Sequence, residues 1–293
     1  MKKGKRMHEE NEKIVKEFLR DLSARGCSKN TIRGYELDLT KFFEAMGKNY
    51  LDITFREIKL YFNEMTGIKS PRTVGRKMAS VRSFYKWVEE IKAEEGEKYV
   101  PPTKALKSPK MPKRVPKYFT HDEVMQIINA AKCTRDKAVM MLLYSSGMRI
   151  DEMYKLNRTD IDWETKSMKV IGKGNKERVS QFNEETKKLL LEYLATRNDD
   201  NPALFVGKGG GRLSKRAVQK FVSQAGKDAG MKRPVTPHKF RHSLASRLVQ
   251  NSVPIQVVQS ILGHNDISTT QIYACLDNKT VRDAYASVFD KDR

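Results

Sequence analysis

The chain has 293 residues, enough for one large domain or two modest ones, and 39% of them are hydrophobic, an adequate supply for buried cores. Lysine and arginine outnumber aspartate and glutamate 57 to 36, a net charge of +21, so the expected partner is a polyanion, and nucleic acid is the commonest one. No run of about 18 apolar residues occurs, the charged start "MKKGKRMHEENEK" leads into no apolar stretch, and the three cysteines lack C-x-x-C spacing; the expectation is a cytoplasmic protein with no membrane span, signal peptide, disulfide framework or zinc knuckle.

The first hundred residues read as helices. Residues 9–22 and 54–65 supply two short ones. "SKNTIRGYELDLTKFFEAMGK" carries Ile32, Tyr35, Leu39 and Phe42 at helical spacing, with Gly47 as the stop. "SPRTVGRKMASVRSFYKWVEEI" offers Ser70 as N-cap and Pro71 at the first helical position, followed by the stripe Val74, Met78, Val81, Tyr85 and Val88. A bundle of about four helices over residues 1–100 follows, with the aromatic stripes as its core. Arg72, Arg76, Lys77 and Arg82 lie around the polar surface of the last helix, the first three as candidate DNA contacts.

Residues 101–117, "PPTKALKSPKMPKRVPK", hold five prolines, six basic residues and no acid. Proline at that density breaks helices, so this is expected to be an extended basic linker, with Lys110 and Lys113 able to lie along a phosphate backbone.

Residues 118–293 form the second predicted domain. Thr120 and Glu123 make a capping box in "FTHDEV", and "RDKAVMMLLYSSG" is an apolar helix ended by Gly147. The period then shortens: "SMKVIGKGNKERVSQF" reads as a β-hairpin around "GKGN". Helices return in "EETKKLLLEYL", "SKRAVQKFVSQAGKDAG", "TPHKFRHSLAS" and "VPIQVVQSILGH". The "GKGGG" loop at 207–211 does not satisfy G-x-x-x-x-G-K-[ST], so no nucleotide-phosphate loop is present. The fold class is mainly α with a small β-sheet or hairpin, in two domains.

"TPHKFRHSLAS" places His238, Arg241 and His242 at i, i+3 and i+4, one face of a helix. Zinc fits poorly, because Arg241 shares that face and Lys239 follows His238 where a metalloprotease helix has glutamate. An anion fits better: arginine offers a fixed fork to two phosphate oxygens, and histidine exchanges a proton near neutral pH. Arg149, in the expected first turn of a helix after Gly147, opposes the helix dipole. A bound anion would offset that cost; so would an i, i+3 ion pair with Glu152, and both readings stand. Lys173 sits at the hairpin tip between two glycines. "LGHNDISTTQIYACL" supplies His264, the expected N-cap Ser268, and Tyr273, which with Ile272 and Leu276 would pass for core.

Taken in order, Arg149, Lys173, the H-x-x-R pair His238 and Arg241, His264 and Tyr273 resemble the tyrosine recombinase (phage integrase) family, and "GKGNKER", "LGH" and "STTQIY" have Xer-type phrasing. The likeness spans essentially the whole chain. Lys239 and Phe240 stand where leucine is usual beside the arginine, and Asp151 replaces a common serine. The resemblance implies a core-binding bundle at 1–100 and a catalytic domain at 118–293 that clamp double-stranded DNA, with Lys239 as a further DNA contact. It implies Tyr273 as nucleophile, His238 as proton acceptor, Arg149 and Arg241 as phosphate clamp, His264 as hydrogen-bond donor and Lys173 as proton donor, with no metal, cofactor or ATP. Val281, Ala284, Tyr285, Val288 and Phe289 mark a tail helix at 279–290 that by its spacing alone could fold back on its own domain; the resemblance implies that it docks in trans, in a homotetramer on two DNA sites. The implied role is site-specific recombination for chromosome dimer resolution; a mobile-element integrase, a type IB topoisomerase and a DNA-binding regulator on a dead scaffold are the alternatives.

Overall fold

The computed structural model describes residues 7–110, 118–172 and 177–263. The chain divides into two compact units, Met1–Lys113 and Arg114–Arg293.

The first unit is helical: α1 (Glu9–Ala24), α2 (Lys29–Met46), a 3-10 turn (Tyr50–Asp52), α3 (Phe55–Met65) and α4 (Pro71–Glu94). Ser28, Thr54 and Ser70 start α2, α3 and α4 by accepting a hydrogen bond from the backbone N–H three residues on. Gly47 ends α2 in the left-handed region. The aromatic residues are core: Phe84 is fully buried and meets Phe18, Phe43, Tyr50 and Tyr85 edge-on at 5.2–6.0 Å. A buried carboxylate crosses this core. Asp38 on α2 receives both arms of Arg76, the ammonium of Lys77 at 3.1 Å and the hydroxyl of Ser80 at 3.0 Å, all from α4.

The first half of the proline-rich stretch, expected to be an extended linker, packs back on the first unit. Thr103 and Leu106 are buried, and Leu106 packs into the core of the first unit. Arg82 donates to the Leu106 carbonyl at 2.5 Å, so a guanidinium supplies the partner that a proline-interrupted backbone cannot find in a helix.

The second unit runs α5 (His121–Asn129), α6 (Thr134–Ser146), α7 (Ile150–Lys155), a 3-10 turn (Arg158–Asp160), β1 (Ile161–Asp162), β2 (Ser167–Ile171), β3 (Glu177–Gln181), α8 (Glu184–Ala195), α9 (Lys215–Asp228), α10 (Pro237–Gln250) and α11 (Ile255–Leu262). The predicted hairpin is β2–β3, with Ile171 opposite Glu177. A third strand, β1, pairs antiparallel with β2 to give the order β1-β2-β3. At two residues it is too short to carry a period in the sequence. The core surrounds α6, whose Val139, Met140, Leu142 and Leu143 are fully buried. That helix shows no polar face because other elements cover it all round. Among the described residues no helix is long and apolar enough to cross a membrane.

Candidate active site

The end of α6 and the start of α10 form the site. Gly147 closes α6 with φ +60°, and a Cβ there would lie 2.7 Å from Leu262 and 2.8 Å from Leu244. Only glycine meets both demands, so α10 and α11 can close on this corner. The chain leaves the corner extended and Arg149 becomes the N-cap residue of α7, one position before the expected first turn.

Glu152 answers Arg149. Its carboxylate accepts the Arg149 backbone N–H at 2.8 Å and the Arg149 guanidinium at 3.0 Å. The i, i+3 ion pair is therefore real, and it leaves the Arg149 side chain 39% exposed. Glu152 itself is 3% exposed and is also bonded by Arg178 from β3 at 3.0 Å. Burial alone would raise its carboxyl; the Arg149 N–H and the Arg178 and Arg149 charges reverse this and hold it below its ordinary range. The pairing orients Arg149 rather than removing it from solvent.

Pro237 starts α10, and the helix presents His238, Arg241 and His242 on one side, as the spacing predicts. Arg241 is buried and donates to the Gly147 carbonyl at 2.5 Å, which locks its guanidinium against the end of α6. Burial lowers the basicity of His238, and the charges of Arg241 and Arg149 lower it further. These three side chains thus share one electrostatic environment, from elements about ninety residues apart in sequence. His242 stands with its ring 4.4 Å from that of His238, edge to face. Burial, then His238, Arg241 and Lys239, hold it down to about 4. Both shifts favour the neutral ring near pH 7. A neutral imidazole has a lone pair that can accept a proton; the guanidinium charges oppose the imidazolium until a bound anion offsets them, and they themselves suit such an anion. Among the described residues no group of three or more His, Cys, Asp or Glu could hold a metal ion.

The titration of these rings has a stability consequence. The unfolded chain binds a proton at each histidine near pH 6.5, while the folded chain resists until lower pH, so stability present above 6.5 is lost on acidification toward about 4. The melting temperature should fall between pH 6.5 and 4.5, above the carboxylate range. His242→Gln should flatten that part of the profile; an unchanged slope would contradict the depressed value.

The remaining predicted residues fall as follows. Lys173, His264, Tyr273 and Lys113, and the 279–290 tail, lie outside the described residues. Arg72 and Lys110 are exposed. Arg76 and Lys77 serve the buried Asp38, and Lys77 is largely enclosed. The Lys239 ammonium lies 5.2 Å from the Phe119 ring centroid, on the face of α10 beside the site. Sequence reasoning missed Arg178 altogether. The strand pattern read from the sequence would turn Val179 inward, whereas Arg178 shares the inward side with buried Ser180.

A model of the phage integrase family matches residues 117–280, and one of the phage integrase N-terminal SAM-like domain matches residues 15–91. The tyrosine recombinase XerA of Pyrococcus horikoshii is 38% identical over 282 residues, covering 94% of this chain and 93% of that protein. A crystal structure of XerA recombinase aligns with TM-score 0.55 at 29% identity, over 95% of this chain and 99% of that one. A structure of XerH bound to its difH substrate after cleavage aligns with TM-score 0.76 at 22% identity, over 93% of this chain and 83% of that one, a likeness of fold. The chain therefore belongs to the phage integrase family and is a tyrosine recombinase, an enzyme that cleaves and rejoins DNA.

Proposed function

We propose that the protein is a site-specific recombinase of double-stranded DNA that works through a 3′-phosphotyrosyl intermediate on Tyr273. The observation that carries this reading is the meeting of Arg149, His238 and Arg241 at the Gly147 corner. His238 takes the phenol proton of Tyr273, which is needed because a phenol with a pKa near 10 is a weak nucleophile. The phenolate oxygen then bonds to the scissile phosphorus while the bond from phosphorus to the 5′-oxygen breaks. Arg149 and Arg241 hold the non-bridging oxygens as charge gathers on them, with a hydrogen bond from His264. Lys173 gives the leaving 5′-oxygen its proton. The phosphotyrosine conserves the energy of the ester, and the arginines supply the charge that a metal would, so neither ATP nor metal enters the scheme.

We assign the enzyme to chromosome dimer resolution in the cytoplasm, as a homotetramer on two DNA sites with the tail helix of each protomer docked on its neighbour. The Xer-type phrasing of "GKGNKER" and "STTQIY" supports this over a mobile-element integrase. In this reading the two units clamp the duplex, Arg72, Lys110, Lys113 and Lys239 contact its backbone, and Arg76 lends its exposed charge.

Tyr273→Phe should abolish covalent capture of a nicked suicide substrate while DNA binding in a gel shift is unchanged. Capture by the phenylalanine variant would refute the nucleophile. Relaxation of a plasmid lacking any target site would favour a topoisomerase instead.

A further inference from the structure

We propose that Arg178 is a positioning residue of the strand-transfer reaction, tying the Arg149 clamp to the last turn of α11. It rests on the reading that Arg149 holds the scissile phosphate.

The first sign is an inverted strand. β3 exposes Val179, at 64%, and turns Arg178 inward, with its side chain 18% exposed. Arg178 lies opposite the fully buried Val170 of β2. A strand that puts its valine in solvent and its arginine inside gives up burial energy, and such local inversions mark functional positions.

The second sign is what the guanidinium bonds. One arm donates to Glu152 at 3.0 Å, on the carboxylate oxygen that also accepts the Arg149 backbone N–H. The other carboxylate oxygen holds the Arg149 guanidinium. Glu152 is therefore fixed from both sides, by α7 and by β3, and Arg149 inherits that orientation. The second arm of Arg178 donates to the Ile261 carbonyl at 3.3 Å, in the last turn of α11, where carbonyls lack helical partners and the dipole favours a cation.

The third sign is a reserved space. Gly263 ends α11 with φ +62°, and a Cβ there would lie 2.6 Å from Nε of Arg178 and 2.7 Å from its Cδ. The glycine cap admits Arg178 against the helix end. One side chain thus connects the clamp to the segment that leads in sequence to His264 and Tyr273. β3 is also joined to β2 by the residues that include Lys173. A fork is needed because the two acceptors lie on different elements, and lysine, a point charge, cannot serve both.

The test is single-turnover covalent capture on saturating duplex, with melting temperature and gel-shift affinity measured alongside. Two suicide substrates are used, one with an ordinary scissile phosphate and one with a neutral methylphosphonate. The methylphosphonate develops one negative charge fewer and so depends less on the arginine clamp. Arg178→Gln should bind DNA as wild type, lose roughly 10²-fold in capture on phosphate, and lose less than about tenfold on methylphosphonate. Arg178→Lys should fold and recover only part of the loss. Wild-type rates for Arg178→Gln, or equal losses on both substrates with a lowered melting temperature in both variants, would overturn the proposal. Arg149→Ala is run in parallel. If it captures at the wild-type rate, the clamp reading itself is wrong; if it is slow while Arg178→Gln is normal, only the role of Arg178 fails.

Discussion

Replacing Arg241 by lysine should cut covalent capture of DNA by roughly 10²–10³-fold while leaving DNA binding in place. The side chain is 3% exposed, in the middle of α10, with one arm given to the Gly147 carbonyl at 2.5 Å. That bond fixes the plane of the guanidinium, and in the proposed role this would orient it toward the phosphate before the reaction. Lysine keeps the charge but has no plane to fix. It can bond Gly147 or reach an oxyanion, and it does either with a mobile ammonium. Suicide-substrate capture with a parallel gel shift decides the matter: capture within about threefold of wild type would remove Arg241 from the phosphate-binding group.

The double substitution Arg76→Ala with Lys77→Ala should destabilise the N-terminal unit by about 3–5 kcal/mol, because it strands a buried carboxylate. Asp38 is 2% exposed, and without these cations only Ser80 remains of its charged and hydroxyl partners from α4. Loss of Arg76 alone should cost far less, near 1 kcal/mol, since that side chain is 53% exposed and its pairing is screened. Urea unfolding of the full chain in a Trp163→Phe background, followed by fluorescence of the core residue Trp87, gives the measurement. A double variant as stable as wild type would mean that Asp38 is satisfied in another way. The same result governs how DNA binding is interpreted: weakened binding by the double variant reflects a damaged bundle before it reflects lost phosphate contacts.

Charge and spacing made much of this legible in the sequence. The helix stripes of α2 and α4, the caps Ser70 and Thr120, and the stop at Gly147 follow local rules that tertiary packing did not override. The H-x-x-R spacing needed only helical geometry to place His238 with Arg241. What stayed hidden depended on contacts far apart in the chain. Lys77 has a surface-like residue type and falls on the predicted polar side of α4, yet Asp38, 39 residues earlier, draws it inward. Leu106 lies among prolines and lysines, and only Arg82, 24 residues earlier, shows that the stretch packs back. For Arg149, composition could not choose between an anion and Glu152; the geometry shows the ion pair holding the side chain in a half-exposed position.

The two site glycines define a gauge. Leu262 fills the space a methyl group would need at Gly147, and Arg178 fills the space one would need at Gly263. Arg178 leads to Glu152, Glu152 to Arg149, and Arg149 follows Gly147 by two residues, so the contacts close into a ring. In an open chain of contacts an error at one link can relax at the free end; a closed ring has no free end. A methyl group added at either glycine would press on this ring, so a change at the end of α11 is expected to be felt at Arg149.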